Sequence, residues 1–310
     1  LVYKKDAIGK FIFGSKRMDN KLLVKTKLES LTDTGNSFDL NFLVNRTSNY
    51  EGEINLKQSN IRLNNNDWNL DVKNVKPLFY NSLKSVLSVP EVGFESNNSK
   101  IKMSGFYDDS KNFKLDLILK YVNFNQLIKQ KNNFSTDGYF DMNFNMKRSV
   151  KENKLNCELI SEQIQINNKI IGNLELFING NTQTNSYSIN SELFNKEKNI
   201  VADGNLIYNK DETKLDLTLL FNNFDISFLS PLGKKSISNI RGLANGEVNI
   251  WGDLNNLNNT GVLKLNKSGF NVPYLNTDYN LVDNTILNLS STNINILPTS
   301  LFDSTYKTST

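Results

Sequence analysis

The sequence predicts an all-β fold: a long, mainly antiparallel sheet with at most one or two short helices. Three observations predict it. Side chains alternate apolar and polar along many short stretches. Polar turn signals recur about every 8–12 residues, the spacing of an antiparallel meander. Helical spacing of apolar residues is nearly absent.

The alternation can be followed in chain order. Phe38, Leu40 and Phe42 share one side, as do Leu70 and Val72 around Asp71. In Lys114–Tyr121 the residues Leu115, Leu117, Leu119 and Tyr121 take one face, and Lys114, Asp116 and Lys120 the other. This is a half-buried strand, apolar on one side and wet on the other. Phe140, Met142, Phe144 and Met146 repeat it around Asp141, Asn143 and Asn145. So do Leu155, Cys157 and Leu159, then Leu215, Leu217 and Leu219, and then Leu263 and Leu265. Between the strands stand Asn64-Asn65-Asn66-Asp67, Asn97-Asn98-Ser99, Asn209-Lys210-Asp211-Glu212 and Asn255-Asn256. The chain holds 52 Asn in 310 residues. Asn tolerates positive φ and bonds its own backbone, so it suits hairpin turns. One helix is expected after Pro77, where Phe79, Leu83, Val86 and Leu87 keep helical spacing up to Pro90. A shorter one is expected near Phe228–Lys235.

Absences exclude several functions. The chain has no His, so no imidazole serves as general base or metal ligand. A single cysteine, Cys157, excludes intrachain disulfides and cysteine-based zinc sites. No apolar run exceeds three residues, which excludes a transmembrane helix, a signal-peptide core and the buried strands of a parallel α/β sheet. Net charge is +4, and only five basic residues are Arg: Arg17, Arg46, Arg62, Arg148 and Arg241. Without a concentrated basic face, nucleic acid is not an expected partner. The first residue is Leu, and the chain reads as an internal fragment of a longer one.

The chain also repeats itself. Gly105-Phe106-Tyr107-Asp108 leads to Lys114-Leu115-Asp116-Leu117 and then to Val122–Leu127. About a hundred residues later Gly204–Tyr208 leads to Lys214-Leu215-Asp216-Leu217 and then to Asn222–Ile226. A glycine-led strand follows each, Gly138–Asn143 in one and Gly246–Ile250 in the other. The order suggests a modular array with units near 1–100, 101–198 and 199–310 in one continuous domain.

So many one-sided strands, with so few helices to cover them, pose a physical problem. Open sheets rarely pass about ten strands without curling or closing. A bare apolar face of that length would exceed the few hundred Å2 that soluble proteins expose. The sheet closes as a barrel or sandwich, winds as a solenoid, or curls into a trough whose lining something other than protein covers. A membrane barrel is disfavoured, because no aromatic girdle rhythm is present.

Asn239–Asp253 reads Asn-Ile-Arg-Gly-Leu-Ala-Asn-Gly-Glu-Val-Asn-Ile-Trp-Gly-Asp, followed by Gly261-Val262-Leu263-Lys264-Leu265 and Val272-Pro273-Tyr274-Leu275-Asn276-Thr277-Asp278-Tyr279. This resembles the TamB family of translocation-and-assembly-module proteins in its Bacteroidetes form, related to the AsmA-like and repeating β-groove lipid-transfer proteins. Phe224–Leu232 and the pair Ile61-Arg62-Leu63 with Trp68-Asn69-Leu70 resemble further parts of its pattern. The proline usual between the first two glycine strands is absent, with Leu254–Thr260 in its place.

The resemblance implies an open hydrophobic groove, a β-taco. It implies a periplasmic section of a protein anchored in the inner membrane, which moves phospholipids or other acyl lipids toward the outer membrane. It also implies support of outer-membrane assembly with a BamA/TamA-type barrel as partner of the full-length protein. No enzyme activity, cofactor, metal or catalytic residue is expected. The expected lining is Leu115, Leu117, Leu119, Tyr121, Phe140, Met142, Phe144, Leu215, Leu217, Leu219, Phe221, Val248, Ile250, Leu263 and Leu265. The alternative is an exported structural or adhesive β-solenoid with a filled core. Cys157 reads as a small hydrophobe, and Asp116, Asp141, Glu158 and Asp216 as a solvated face. Gly242, Gly246 and Gly252 read as strand bends, since no helix pattern follows them.

Overall fold

The computed structural model describes residues 2–3, 6–7, 9–30, 36–73, 75–108, 112–127, 135–195, 197–209, 212–233 and 236–303. The described chain is nearly all strand, and every strand pairing in it is antiparallel. Two compact units are present. One comprises Leu1–Lys129 with Tyr139–Cys157, the other Gln130–Gly138 with Glu158–Thr310.

In the first unit β1 (Val2–Tyr3) and β2 (Asp6–Ala7) pair with each other. A meander follows through β3 (Gly9–Met18), β4 (Lys21–Ser30) and β5 (Ser37–Arg46). The sheet then forks. β6 (Glu51–Leu56) pairs with the Phe42–Arg46 end of β5, and β7 (Asn60–Leu63) with its Ser37–Asp39 end. β8 (Asn66–Leu70) continues β7, and β9 (Leu78–Asn81) continues β6. Both branches rejoin on β10 (Val86–Ser96), β9 through Val86–Ser88 and β8 through Phe94–Glu95. Then come β11 (Ser99–Asp108), β12 (Asn112–Asn123), the four-residue α1 (Phe124–Leu127) and β13 (Thr136–Arg148).

The helix expected after Pro77 is not formed. Residues 78–81 and 86–90 are strands, and Ser82–Ser85 turn between them. Asn81 Oδ1 accepts the Lys84 N–H at 2.9 Å, and Ser85 takes φ 51°. Asn and Ser compete for local backbone bonds and so favour such turns over helix. Pro90 falls where the register against β11 shifts between Val89 and Val92, a bulge that needs no N–H from it. The expected turn at Asn64 is formed, with Asn64 and Asn65 both at positive φ. Of the turn at Asn209–Glu212, Lys210 and Asp211 lie outside the described residues.

β14 (Asn153–Ile166) runs through the boundary at Cys157. The second unit continues with β15 (Lys169–Asn181), β16 (Ser186–Asn195), β17 (Glu197–Tyr208) and β18 (Thr213–Asp225). A 3-10 turn at Ser227–Gly233 stands where a short helix was expected, and Lys235 lies outside the described residues. Then come β19 (Ser238–Asp253) and β20 (Asn256–Val272). A short 3-10 turn at Pro273–Leu275 precedes β21 (Thr277–Leu281) and β22 (Thr285–Ser290), which pair with opposite ends of β20. β23 (Ile294–Ile296) pairs with β22, and β24 (Leu301–Asp303) with β21.

Large and small side chains alternate across the second unit's apolar face. Leu219 stands opposite Val248, which stands opposite Gly261. One row over, Phe221 stands opposite Gly246 and Gly246 opposite Leu263. The next row runs Phe224–Ala244–Leu265. Paired residues share a face, so each glycine or alanine leaves room for its bulky neighbour.

Several even-numbered strands end in the same device. Tyr121 in β12, Gln163 in β14, Asn223 in β18 and Lys267 in β20 all have φ near +50°. Each backbone N–H donates to a side-chain oxygen: Tyr121 to Asp141 (2.8 Å), Gln163 to Asn173 (2.9 Å), Asn223 to Asn245 (2.9 Å) and Lys267 to Asp283 (2.7 Å). At Tyr121, Asn223 and Lys267 the register shifts by one residue, a β-bulge in which a side chain takes over the N–H that the ladder has lost.

Candidate apolar binding face

In the first unit four rows cross the face from β10 to β13. They run Phe94–Ile101–Leu119–Met142, Val92–Met103–Leu117–Phe144, Val89–Gly105–Leu115–Met146 and Leu87–Tyr107–Phe113–Arg148. Burial changes along them. Toward α1 the side chains are sealed: Val92, Leu119, Val122 and Phe140 are all buried. α1 closes this end, with Phe124 stacked on Phe140 at 4.6 Å between ring centroids. Within α1 Gln126 is buried, its Oε1 accepting the Asn123 N–H (2.9 Å) and the Ser99 hydroxyl (3.1 Å). Toward the β11–β12 turn the face opens, with Leu87 38 %, Met103 43 % and Tyr107 39 % exposed. Gly105 has no side chain to contribute here. A depression of about 120 Å3 lies over it, walled mainly by Leu87, Val89, Met103, Tyr107, Phe113 and Leu115, with Ser104, Phe106 and Lys114 also reaching it.

The seven expected lining residues of this unit therefore divide. Leu115, Leu117, Leu119, Phe140, Met142 and Phe144 share the face. Tyr121 does not, and here the structure corrects the sequence reading. The bulge adds one residue between Leu119 and Val122, so Val122 takes the inner position opposite Phe140. Tyr121 turns outward, half exposed, and its ring stacks on Tyr139 at 4.1 Å. Phe113, Met103 and Leu87 complete the open end. Their alternation was visible in the sequence, but only the register sets Met103 opposite Leu117, and Leu87 and Phe113 on either side of Tyr107.

In the second unit Val248, Leu263, Leu265 and Ala244 form a buried cluster, with Leu219, Phe221, Ile226 and Ile250 packed against it. Leu215 and Leu217 continue the same face of β18, opposite Gly252 and Ile250, and are half-buried. Leu219, Phe221, Val248, Ile250, Leu263 and Leu265 are thus brought together. Ile226 and Ala244 were not anticipated. A 3-10 turn closes this end as α1 closes the other unit's, with Phe224 and Phe228 5.6 Å apart.

The polar side of the sheet carries the carboxylates, each tied to its neighbours. Burial pushes Asp116 up, but hydrogen bonds from Lys114, Asn145 and Ser104 outweigh it and hold the carboxyl below its ordinary value. Asp141 behaves alike: burial pushes up, and Lys120 and the Tyr121 N–H bring it down further. Among the described residues no three carboxylates or thiols gather as a metal site. Cys157 is half-buried, and burial pushes its thiol up. Such a thiol is a poor nucleophile.

No family model, curated protein or solved structure matches the chain. Among the described residues no helix is long and apolar enough to cross a membrane. The chemistry of the face is therefore its own witness: carbon on one side, ion pairs on the other, and a partly uncovered end lined by Leu87, Met103 and Tyr107.

Proposed function

We propose that the chain is a section of a non-enzymatic lipid conduit, in which the apolar face of an antiparallel sheet carries the acyl chains of phospholipids or similar lipids. The observation that carries this reading is the open end of the first unit's face. Leu87, Met103 and Tyr107 stay more than a third exposed beside a gap at Gly105, while Lys102, Asp116 and Lys120 alternate to the other side. Covering such a face with an acyl chain gains about 0.8 kcal/mol per methylene taken out of water. A TamB-like groove protein in the periplasm, anchored in the inner membrane and docked on a BamA/TamA-type barrel, fits this reading and the glycine-strand resemblance at Asn239–Tyr279. The test is gentle purification followed by lipid mass spectrometry. Copurifying acyl lipid, displaced when Met103→Lys puts a charge on the face, is the expected result. A chain that never carries lipid would sink the proposal.

A filled-core structural solenoid is the second reading, favoured by the sealed cluster at Ala244 and Val248. Its discriminating observation is the same lipid analysis, together with exclusion of apolar probes from the first unit.

A further inference from the structure

Arg148 is the last residue of β13 and pairs across the ladder with Phe113. It continues the series Phe140, Met142, Phe144 and Met146, so it stands on the apolar side of the sheet. A cation there is out of pattern, because the other charges of β11–β13 take the opposite face. Arg148 is exposed, and among the described residues no carboxylate pairs with it. Its neighbours' charges are already engaged: Lys147 binds Glu152, and Asp108 accepts from Asn112 at 3.3 Å on the other side. The row next to Arg148 contains Gly105 and the depression above it. A positive charge thus stands across the ladder from Phe113, which lines the apolar hollow, at the end of the face that α1 does not close.

We propose that this rim seats an anionic amphiphile. The tail lies over Gly105 against Leu87, Met103, Phe113 and Leu115, and a carboxylate or phosphate head meets the Arg148 guanidinium. A planar fork of donors suits both anions. The inference rests on the acyl-chain reading above and adds to it a head-group chemistry and an end of the face.

The test uses the full chain with dodecanoate, dodecyl phosphate and dodecanol, each below its micelle concentration, with binding followed by calorimetry. Arg148→Gln removes the charge. Met103→Trp fills the hollow from a position that is 43 % exposed and tolerant. Gly105 itself is a poor target, because a Cβ there would meet the Lys114 carbonyl at 2.8 Å. Arg148→Gln should weaken both anions about fivefold, the scale of an exposed ion pair, and leave dodecanol unchanged. Met103→Trp should weaken all three. A larger loss for dodecyl phosphate marks a phospholipid head, and a larger loss for dodecanoate a free fatty acid. Equal effects on anions and alcohol, or none on the anions, overturn the role of Arg148. Binding indifferent to Met103→Trp overturns the tail seat. If the unaltered chain binds none of the three, the acyl-chain reading itself fails.

Discussion

The Asn167 side chain donates to the Phe228 carbonyl at 3.0 Å, tying the β14–β15 turn to the 3-10 turn that closes the second unit's face. Its Oδ1 accepts the Ser135 N–H at 3.0 Å. In the first unit Asn64 stands in the equivalent place. It is likewise the first residue of an Asn-Asn turn at positive φ, and it donates to the Gln126 carbonyl in α1 at 3.4 Å. The sequence repeat is thus accompanied by a repeated contact, about a hundred residues apart.

Asn167→Asp isolates that bond. Asp tolerates φ 52° and keeps the acceptor for Ser135, but it cannot donate to Phe228. The expected loss is about 1 kcal/mol, seen as a lower urea midpoint. The Leu229 amide, bonded to Ile226 within the 3-10 turn, should exchange faster. Unchanged exchange at Leu229 would show that the turn holds without its tether.

Asp141 makes the Tyr121 bulge sensitive to acid. Its folded carboxyl lies below the ordinary 3.8. Its contribution is therefore complete above about that pH, and is lost as pH falls through the lowered folded value. Asp141→Asn keeps an acceptor for the Tyr121 N–H, as Asn245 does for Asn223, and should remove this acid dependence at little cost in stability at neutral pH. Asp141→Ala leaves the N–H without its acceptor and should cost about 1 kcal/mol. Chemical denaturation of the three proteins between about pH 2.5 and about pH 7 checks the ordering.

The two faces should respond differently to truncation. Leu263 is buried in the cluster with Val248, so Leu263→Ala should cost about 2–4 kcal/mol. Met103 is 43 % exposed, so Met103→Ala should cost under about 1 kcal/mol. Comparable losses at both positions would mean that the open end is as tightly filled as the cluster.

Glycines differ by what lies opposite. A Cβ on Gly204 would stand 2.1 Å from the Asp216 carbonyl oxygen and 2.7 Å from Leu217 Cα, so Gly204→Ala must push β17 from β18. Thermal denaturation should show a clear loss. Gly14 has nothing within 4 Å of such a Cβ, and Gly14→Ala should be neutral or stabilise by up to about 0.5–1 kcal/mol.

The strands were legible because alternation with period two needs only the sequence. The face shared by Leu115, Leu117 and Leu119 followed at once. Tyr121 was misplaced because a bulge depends on an acceptor one strand away, which alternation does not encode. A signal did exist: Gly138 precedes Asp141, and Gly242 precedes Asn245, by three residues each. Both glycines have positive φ, and both strands hold the acceptor of a bulge. The false helix after Pro77 had the opposite cause. Its spacing was real, but Asn81 accepts the Lys84 N–H within a turn instead, and Ser82 donates to the Tyr50 carbonyl. Arg148 continues the alternation of Phe140 to Met146, but its neighbour Phe113 and the gap at Gly105 in the next row follow only from the register.

The bulges bear on how such a monotonous chain finds its partners. Strands of alternating Leu, Asn and Lys can slide past one another by two residues and still bury the same face. Such a slide would carry Asp141 past Tyr121, Asn245 past Asn223 and Asp283 past Lys267, leaving each left-handed residue with an N–H that nothing accepts. Each strand that bears a bulge therefore carries a mark by which misaligned pairings are told from aligned ones. Deleting one mark should give a protein that folds more slowly and less uniformly before it gives one that is much less stable.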